Sequence, residues 1–314
     1  MTWASWRVQR AQLLVAIGAT CLMGIWLIAS AAAMGHNTTW KYWTNGDIYV
    51  LYVLPGVLGL AIGTPLVAEE FLRGTNRLAW SQSVSRTRWL AMKLLVGGLV
   101  VAVLAALLTL VLEWWTSAVS ISPLAQSGGF VNVRIQPEAF DLTGIVVVGY
   151  ALFAFSLGAA LGAVVRRPGW AFAAGIPIFA AVRLVIEQWV RPNLATPQTI
   201  SASTGFNLGQ TQGRWVLHFG IVPIGRNTPL AGHPWTLNTP LQLASCLRSV
   251  NAQSEAAFEA AQVRCAAVAH IHYVVQFQPE NHYWLIQSAE TAIFLAMAAA
   301  LALLALVAVR KWRW

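Results

Sequence analysis

The sequence predicts an all-α integral membrane protein of six transmembrane helices, with a cytoplasmic coupling helix and a large extracytoplasmic segment between spans five and six. Three observations carry this. First, 57% of the 314 residues are hydrophobic and only 10% are charged, with a mean hydropathy of +0.60, which leaves too little polar surface for a soluble globule of this size. Second, six windows are long and apolar enough to cross a hydrocarbon core of about 30 Å: about 13–33, 48–68, 90–112, 142–165, 169–189 and 286–309. Third, the cations sort to one side. Arg7, Arg10, Arg73, Arg77, Arg86, Arg88, Lys93, Arg166, Arg167, Arg310, Lys311 and Arg313 share a face, opposed there only by Glu69 and Glu70. That side is read as the cytoplasm. The net charge of +9 is therefore a topology signal and gives no reason to expect a nucleic-acid partner.

The first window follows Arg7 and Arg10 and ends in small residues, yet its apolar core is too long for a cleaved signal peptide, so it is read as an uncleaved span. Two readings stand for residues 2–12: a helix in the headgroup plane, or the cytoplasmic end of that span. With six spans both termini are expected in the cytoplasm. Tryptophans agree with these boundaries. Trp40, Trp43, Trp114, Trp115, Trp189 and Trp284 fall at the outer one, and Trp3, Trp6, Trp80, Trp89, Trp170, Trp312 and Trp314 near the inner one.

The second span is expected to end near Glu70. Gly74 suits the left-handed closing position, Thr75 the cap of a short helix over about 76–83, and Ser85 the cap of the third span. Arg86 and Arg88 enter the first turn of that third helix, where the helix dipole disfavours cations. Lipid phosphates or an acidic groove on a cytoplasmic partner would each favour them. In the fourth span Gly158 and Gly162 make a face for close helix approach, read as packing within one subunit, and Pro177 is expected to kink the fifth.

The domain plan is residues 1–189 for spans one to five, with the coupling helix at about 71–87, then an outer segment at 190–285, then the sixth span and tail at 286–314. The outer segment is irregular around 226–240 and helical from Ser254 to about His272, where Phe258, Ala261, Cys265 and Val268 share a face. Cys246 and Cys265 both fall outside, where oxidising conditions permit a disulfide; two unpaired small hydrophobes are the alternative. Its size leaves room for a lid or for docking to an extracytoplasmic partner.

Few residues suggest chemistry. No catalytic residue is assigned. No GxxxxGK[ST] occurs, so any ATP and its Mg are expected in another subunit, and no cofactor is assigned to this chain. No G-x-S-x-G or H-E-x-x-H appears. His270, His272 and His282 with Glu280 lack diagnostic metal spacing, because H-x-H on a helix aims its rings to different faces. No metal is assigned. The charges inside spans are more telling. Arg183 and Glu187 are four apart in the fifth span and can pair along one face, and Glu290 lies a turn and a half into the sixth. They are either the outer mouth of a substrate path or a structural ion pair with a carboxylate beside it.

The stretch between the second and third spans, TPLVAEEFLRGTNRLAWSQSVSRTRWLAMK at 64–93, resembles the coupling region of ABC-2-type exporter permeases. The positions that carry the likeness are Glu69 or Glu70, Gly74, Thr75, Ser85, Arg86 and Lys93. Three further segments resemble actinobacterial members of that group: GYALFAFSLGAALGAVVRR at 149–167, VRLVIEQWVRP at 182–192 and QPENHYWLIQSAETAIFL at 278–295. The resemblance implies a half-transporter. Two permease copies pair, separate ATP-binding subunits dock beneath them, and Glu69, Glu70, Arg73, Gly74, Thr75, Arg77, Ser85 and Arg86 serve coupling. It implies a drug-like, lipid or peptide substrate leaving the cytoplasm, with membrane lipid as surroundings. Two other classes are kept: a membrane enzyme working through His270, His272, Glu280 and Glu290 without an ATPase, and a sensor or assembly protein that lacks substrate-stimulated turnover.

Overall fold

The structure is a computed structural model and describes residues 17–18, 20–22, 24–29, 44–72, 85–120, 134–202, 214–223, 245–246, 255–268 and 270–311. The elements are α1 (Thr44–Leu72), α2 (Arg86–Ser120), α3 (Pro137–Phe140), α4 (Val146–Val165), α5 (Pro168–Val185) running into a π-turn (Ile186–Val190), β1 (Gln198–Ala202), β2 (Arg214–Pro223), α6 (Glu255–Val268), β3 (Ile271–Pro279) and α7 (Tyr283–Lys311). Five of the helices are long and apolar enough to cross a membrane, and they correspond to expected spans two to six. About half of the first expected span lies outside the described residues, and its Leu27 is fully buried with Leu51, Leu108, Leu112, Trp115 and Leu142.

The chain divides into two units: residues 1–131, 138–191 and 286–314, and residues 132–137 and 192–285. In the first, α4 is the central helix. It packs closely on α1 through glycines of both helices. A Cβ at Gly63 would lie 2.1 Å from the Phe155 carbonyl oxygen, and one at Gly162 would lie 2.6 Å from that of Thr64. Such contact replaces a hydrophobic driving force that apolar helices lack in lipid. It confirms packing within the chain at Gly158 and Gly162. Gly59, Gly63 and Thr64 meet Ala151, Phe155 and Gly158 in rising order, so α1 and α4 run parallel. Lys93 of α2 donates from its Nζ to the Leu66 carbonyl at 3.4 Å, and Ala305 and Val309 of α7 are buried with Leu90, Val67 and Ala163. The end of α1, the start of α2, the α4–α5 turn and the end of α7 thus gather at one end, as the cation pattern predicts.

That α4–α5 turn has two residues. Arg166 takes a left-handed conformation (φ 58°) while its N–H reaches the Gly162 carbonyl at 3.0 Å, and Pro168 opens α5 at its first position. A non-glycine residue there costs about 1–2 kcal/mol, offset by satisfying a terminal carbonyl.

The second unit corrects the all-α expectation. It contains a three-stranded antiparallel sheet in the order β1-β3-β2, with Ile200 opposite Val275 and Phe219 also opposite Val275. The helix expected to about His272 ends at Val268. His270 turns the chain at φ 49° with its N–H on the Ala267 carbonyl, and His272 lies in β3. Two apolar β-branched residues decide this: Val274 and Val275 are buried together with Phe277, as a sheet covered on both faces requires. Of the expected α6 face, Ala261 and Cys265 are buried whereas Val268 is 72% exposed. The side chain of Phe258 lies outside the described residues.

Cys246 and Cys265 are joined by a disulfide with Cα atoms 5.6 Å apart, 19 residues apart in sequence. Closing a loop of that length restricts the unfolded chain by about 3 kcal/mol. Replacing both cysteines with serine is expected to destabilise the outer unit by about that amount, and peptide mapping without reductant to recover the linked pair. Free thiols at both positions in oxidised protein would refute the linkage.

Candidate functional site

The site begins where α4 cannot finish itself. Its first residue, Val146, follows Ile145, which has no side chain to cap a helix. Gln287 of α7 caps it from outside: its Oε1 accepts the Val146 N–H at 3.0 Å, while its Nε2 donates to the carbonyls of Phe140 (3.2 Å) and Thr143 (3.0 Å). Glu113 of α2 accepts the N–H of Gly144 at 3.0 Å. The loop from α3 to α4 is therefore fixed by polar groups of two other helices, and Asp141 is held inside it.

Asp141 is the first member of a buried charge cluster. Its Oδ1 lies 2.6 Å from Nη2 of Arg191, and its Oδ2 lies 3.0 Å from Nη2 of Arg183. Arg191 grips Glu290 with two prongs, Nε to Oε2 at 2.7 Å and Nη2 to Oε1 at 2.9 Å. Such paired, charge-assisted bonds are the strong ones. The Tyr150 hydroxyl lies 2.9 Å from Asp141 Oδ1 and 2.7 Å from Glu290 Oε1, and its oxygen accepts from Arg191 Nη2 at 3.0 Å. One hydroxyl proton therefore serves two carboxylates. Arg183 also donates to the Tyr52 carbonyl and lies 4.6 Å over the Tyr150 ring. Two cations balance two anions, so the cluster is formally neutral, and all five residues are buried. Among the described residues, Arg191 Nη1 is a buried nitrogen without a hydrogen-bond partner, while the guanidinium lies 4.5 Å over the Phe140 ring. Burial acts to raise the Asp141 carboxyl, but Arg191 and Arg183, with hydrogen bonds from Arg191 and Tyr150, outweigh it and hold the group below its ordinary value.

The end of α5 delivers both arginines to the same place. Eight residues on a regular helix overshoot two turns by about 80°, which would turn Arg191 away from Arg183. Here the Arg191 N–H bonds to the Ile186 carbonyl five residues back. A wide turn absorbs about one additional residue, so Arg191 returns to the face of Arg183.

This corrects the expected Arg183–Glu187 pair. Arg183 pairs with Asp141, and Glu187 is half-buried and forms no ion pair with a described residue. The backbone from Arg183 to Ile186 is regular helix, so the pair is absent because Arg183 engages Asp141 and the Tyr52 carbonyl instead. Glu290 and Arg183 are brought into one cluster, as neighbours of Tyr150 and Asp141. Sequence reasoning missed Asp141, Tyr150 and Arg191. The available signals were a lone aspartate at the edge of an apolar window, a tyrosine within it, and an arginine eight residues after Arg183.

At the other end, the Ser85 hydroxyl accepts the Arg88 N–H at 3.3 Å, and its carbonyl accepts the Trp89 N–H at 3.0 Å, the geometry of a helix cap. Arg86 is half-buried and Arg88 exposed. Lys93 is buried and lies 4.5 Å over the Trp89 ring. Glu69 is half-buried in the last turns of α1. Arg73, Gly74, Thr75, Arg77, the expected helix at 76–83 and the Glu70 side chain lie outside the described residues. In the second unit, Gln278 donates to the carbonyls of Pro192 (3.1 Å) and Ala195 (2.7 Å), and its Oε1 faces His282 Nδ1 at 2.7 Å. With the amide so oriented, that ring nitrogen carries the proton.

Several helices long and apolar enough to cross a membrane, packed by glycines and with neutralised charge fixed among them, define a helical membrane protein. Residues 7–191 match the family described as ABC-2 membrane transporter related. The chain belongs to that family, as the coupling stretch implied, and the match takes in Asp141, Tyr150, Arg183 and Arg191 but ends before Glu290. No curated protein and no solved structure matches the chain.

Proposed function

We propose that this protein is the membrane-spanning permease subunit of an ATP-driven exporter. It works paired with a second copy, and ATP-binding subunits that carry ATP and Mg dock on its cytoplasmic face. The observation that carries this reading is the family match, because residues 7–191 include both the coupling-like stretch and the first five expected spans. The gathering of Arg86, Arg88, Arg166, Arg167, Arg310 and Lys311 at one end of the membrane unit supports a cytoplasmic face there, in a bacterial plasma membrane, with six spans and both termini inside. In this reading the coupling helix follows α1, and Glu69, Glu70, Arg73, Gly74, Thr75, Arg77, Ser85 and Arg86 form the docking zone. A rigid Ser85 cap and the Lys93 tie to Leu66 let movement of the partner turn α1 and α2 together. The substrate is a drug-like, lipid or peptide molecule, and the outer unit is free to act as a lid or to dock an extracytoplasmic protein.

Co-expression with candidate ATP-binding subunits tests this. The tagged chain is expected to co-purify with one of them and to give ATPase turnover in lipid. Glu70→Ala with Arg77→Glu should lower turnover about tenfold, equivalent to roughly 1.4 kcal/mol of lost contact, without loss of membrane insertion. A chain that purifies alone with every candidate would overturn the proposal.

A further inference from the structure

Arg183, Glu187 and Arg191 recur every four residues. On an uninterrupted α-helix each neighbouring pair is in contact range, with Glu187 between two arginines that are themselves turned about 80° apart. The structure uses a different set of partners. With the wide turn at Ile186–Val190 in place, both arginines engage Asp141 and Glu290, and Glu187 stands outside the cluster without an ion pair to a described residue. One segment therefore offers its arginines two sets of partners, which differ by the hydrogen-bond register of a single turn.

We propose that this π-turn is a register switch at the outer end of the fifth span. In the state described, Arg191 bonds its N–H to Ile186, and the cluster holds α4, α5 and α7 together through Asp141, Tyr150 and Glu290. In the second state the turn regains α-helical hydrogen bonding. Arg191 swings by about a quarter turn, and Arg183 and Arg191 both pair with Glu187. Asp141 and Glu290 are then released, and buried carboxylates tolerate that only when water reaches them. The second register is thereby linked to parting of the outer helix ends, with Tyr150 left to share its proton between the two carboxylates. Wide turns mark functional positions in helices because one residue of slack permits such shifts. Only the trigger, nucleotide turnover on the opposite face, rests on the permease reading.

Spin labels at Trp189→Cys in the wide turn and Leu295→Cys on α7, both exposed, report the register as a distance in lipid nanodiscs. Cys21→Ser supplies the background, since Cys246 and Cys265 are bonded to each other. The parental chain should show one distance. Glu290→Gln, which weakens the cluster, should add a second, and adding Glu187→Gln to that variant should remove it, because the alternative partner is gone. If Glu290→Gln does not fold, Tyr150→Phe weakens the same cluster and carries the same expectation. A single unchanged distance in the weakened variants overturns the switch, and so does a second distance that survives Glu187→Gln. In the complex with its ATP-binding subunit, trapping nucleotide should bring up the second distance in the parental chain. Failure of that arm alone, with the isolated-chain results intact, counts against the permease reading and leaves the switch standing.

Discussion

Arg191→Met is expected to lower the unfolding free energy of the membrane unit by about 3–5 kcal/mol, the usual cost of breaking a buried ion pair by removing one partner. The side chain is 1% exposed, and it is the one group that bonds to Asp141, Tyr150 and Glu290 together. Without it, two carboxylates face one another with Arg183 alone for balance. The expected readout is a large fall in the unfolding midpoint in detergent or lipid. Adding Asp141→Asn and Glu290→Gln should restore much of the loss, because neutral groups no longer need a guanidinium. A single variant within about 1 kcal/mol of the parent would show that the cluster is as weak as a surface pair. The pH dependence has a definite sign. The Asp141 carboxyl lies below its ordinary value when folded, so its stabilisation is fully present above the unfolded value and disappears as pH falls through the lower, folded one. Destabilisation by Arg191→Met should therefore shrink in strong acid.

The places of the five long helices described were legible because two signals, apolar length and cation placement, are each redundant along the chain. The cluster was not legible, because its members are far apart in sequence: Asp141 and Tyr150 precede Arg191 by about half a domain, and Glu290 follows by nearly a hundred residues. The pairing rule for neighbours on a helix led to Glu187, and it failed because Asp141, distant in sequence, takes Arg183, while the Arg191 to Ile186 bond brings Arg191 round to the same carboxylate. The sheet was missed for a different reason. Ala261 and Cys265 are a true helical face, and nothing in the residue pattern marks the backbone reversal at His270 (φ 49°) that ends it. Histidine gives no warning of that conformation as glycine would. The coupling stretch shows the converse. Composition and motif single out residues 73–84, between the last turn of α1 and the Ser85 cap, where helical periodicity alone singles out nothing.

Gly63→Leu tests the seam on which the membrane unit depends. At this position the obstruction is the Phe155 backbone, with carbonyl oxygen, carbonyl carbon and Cα all within 3.1 Å of an added Cβ. Backbone cannot turn aside as a flexible side chain does, so α1 and α4 must separate along a run that also includes Gly59, Gly158 and Gly162. In lipid that separation is costly, because close packing is what favours one helix over acyl chains as a neighbour. Overpacking typically costs about 1–3 kcal/mol, and this position should lie at or above the upper end, since the strain spreads over several turns. Gly98→Ala is the control. Its nearest neighbours, Phe155 and Leu152 side chains, stand 3.7 and 3.8 Å from the added Cβ, which is ordinary contact. Removing a mid-helix glycine there should be neutral or stabilising by up to about 1 kcal/mol. Equal unfolding midpoints for the two variants would mean that the α1–α4 contact does not carry the stability of the unit.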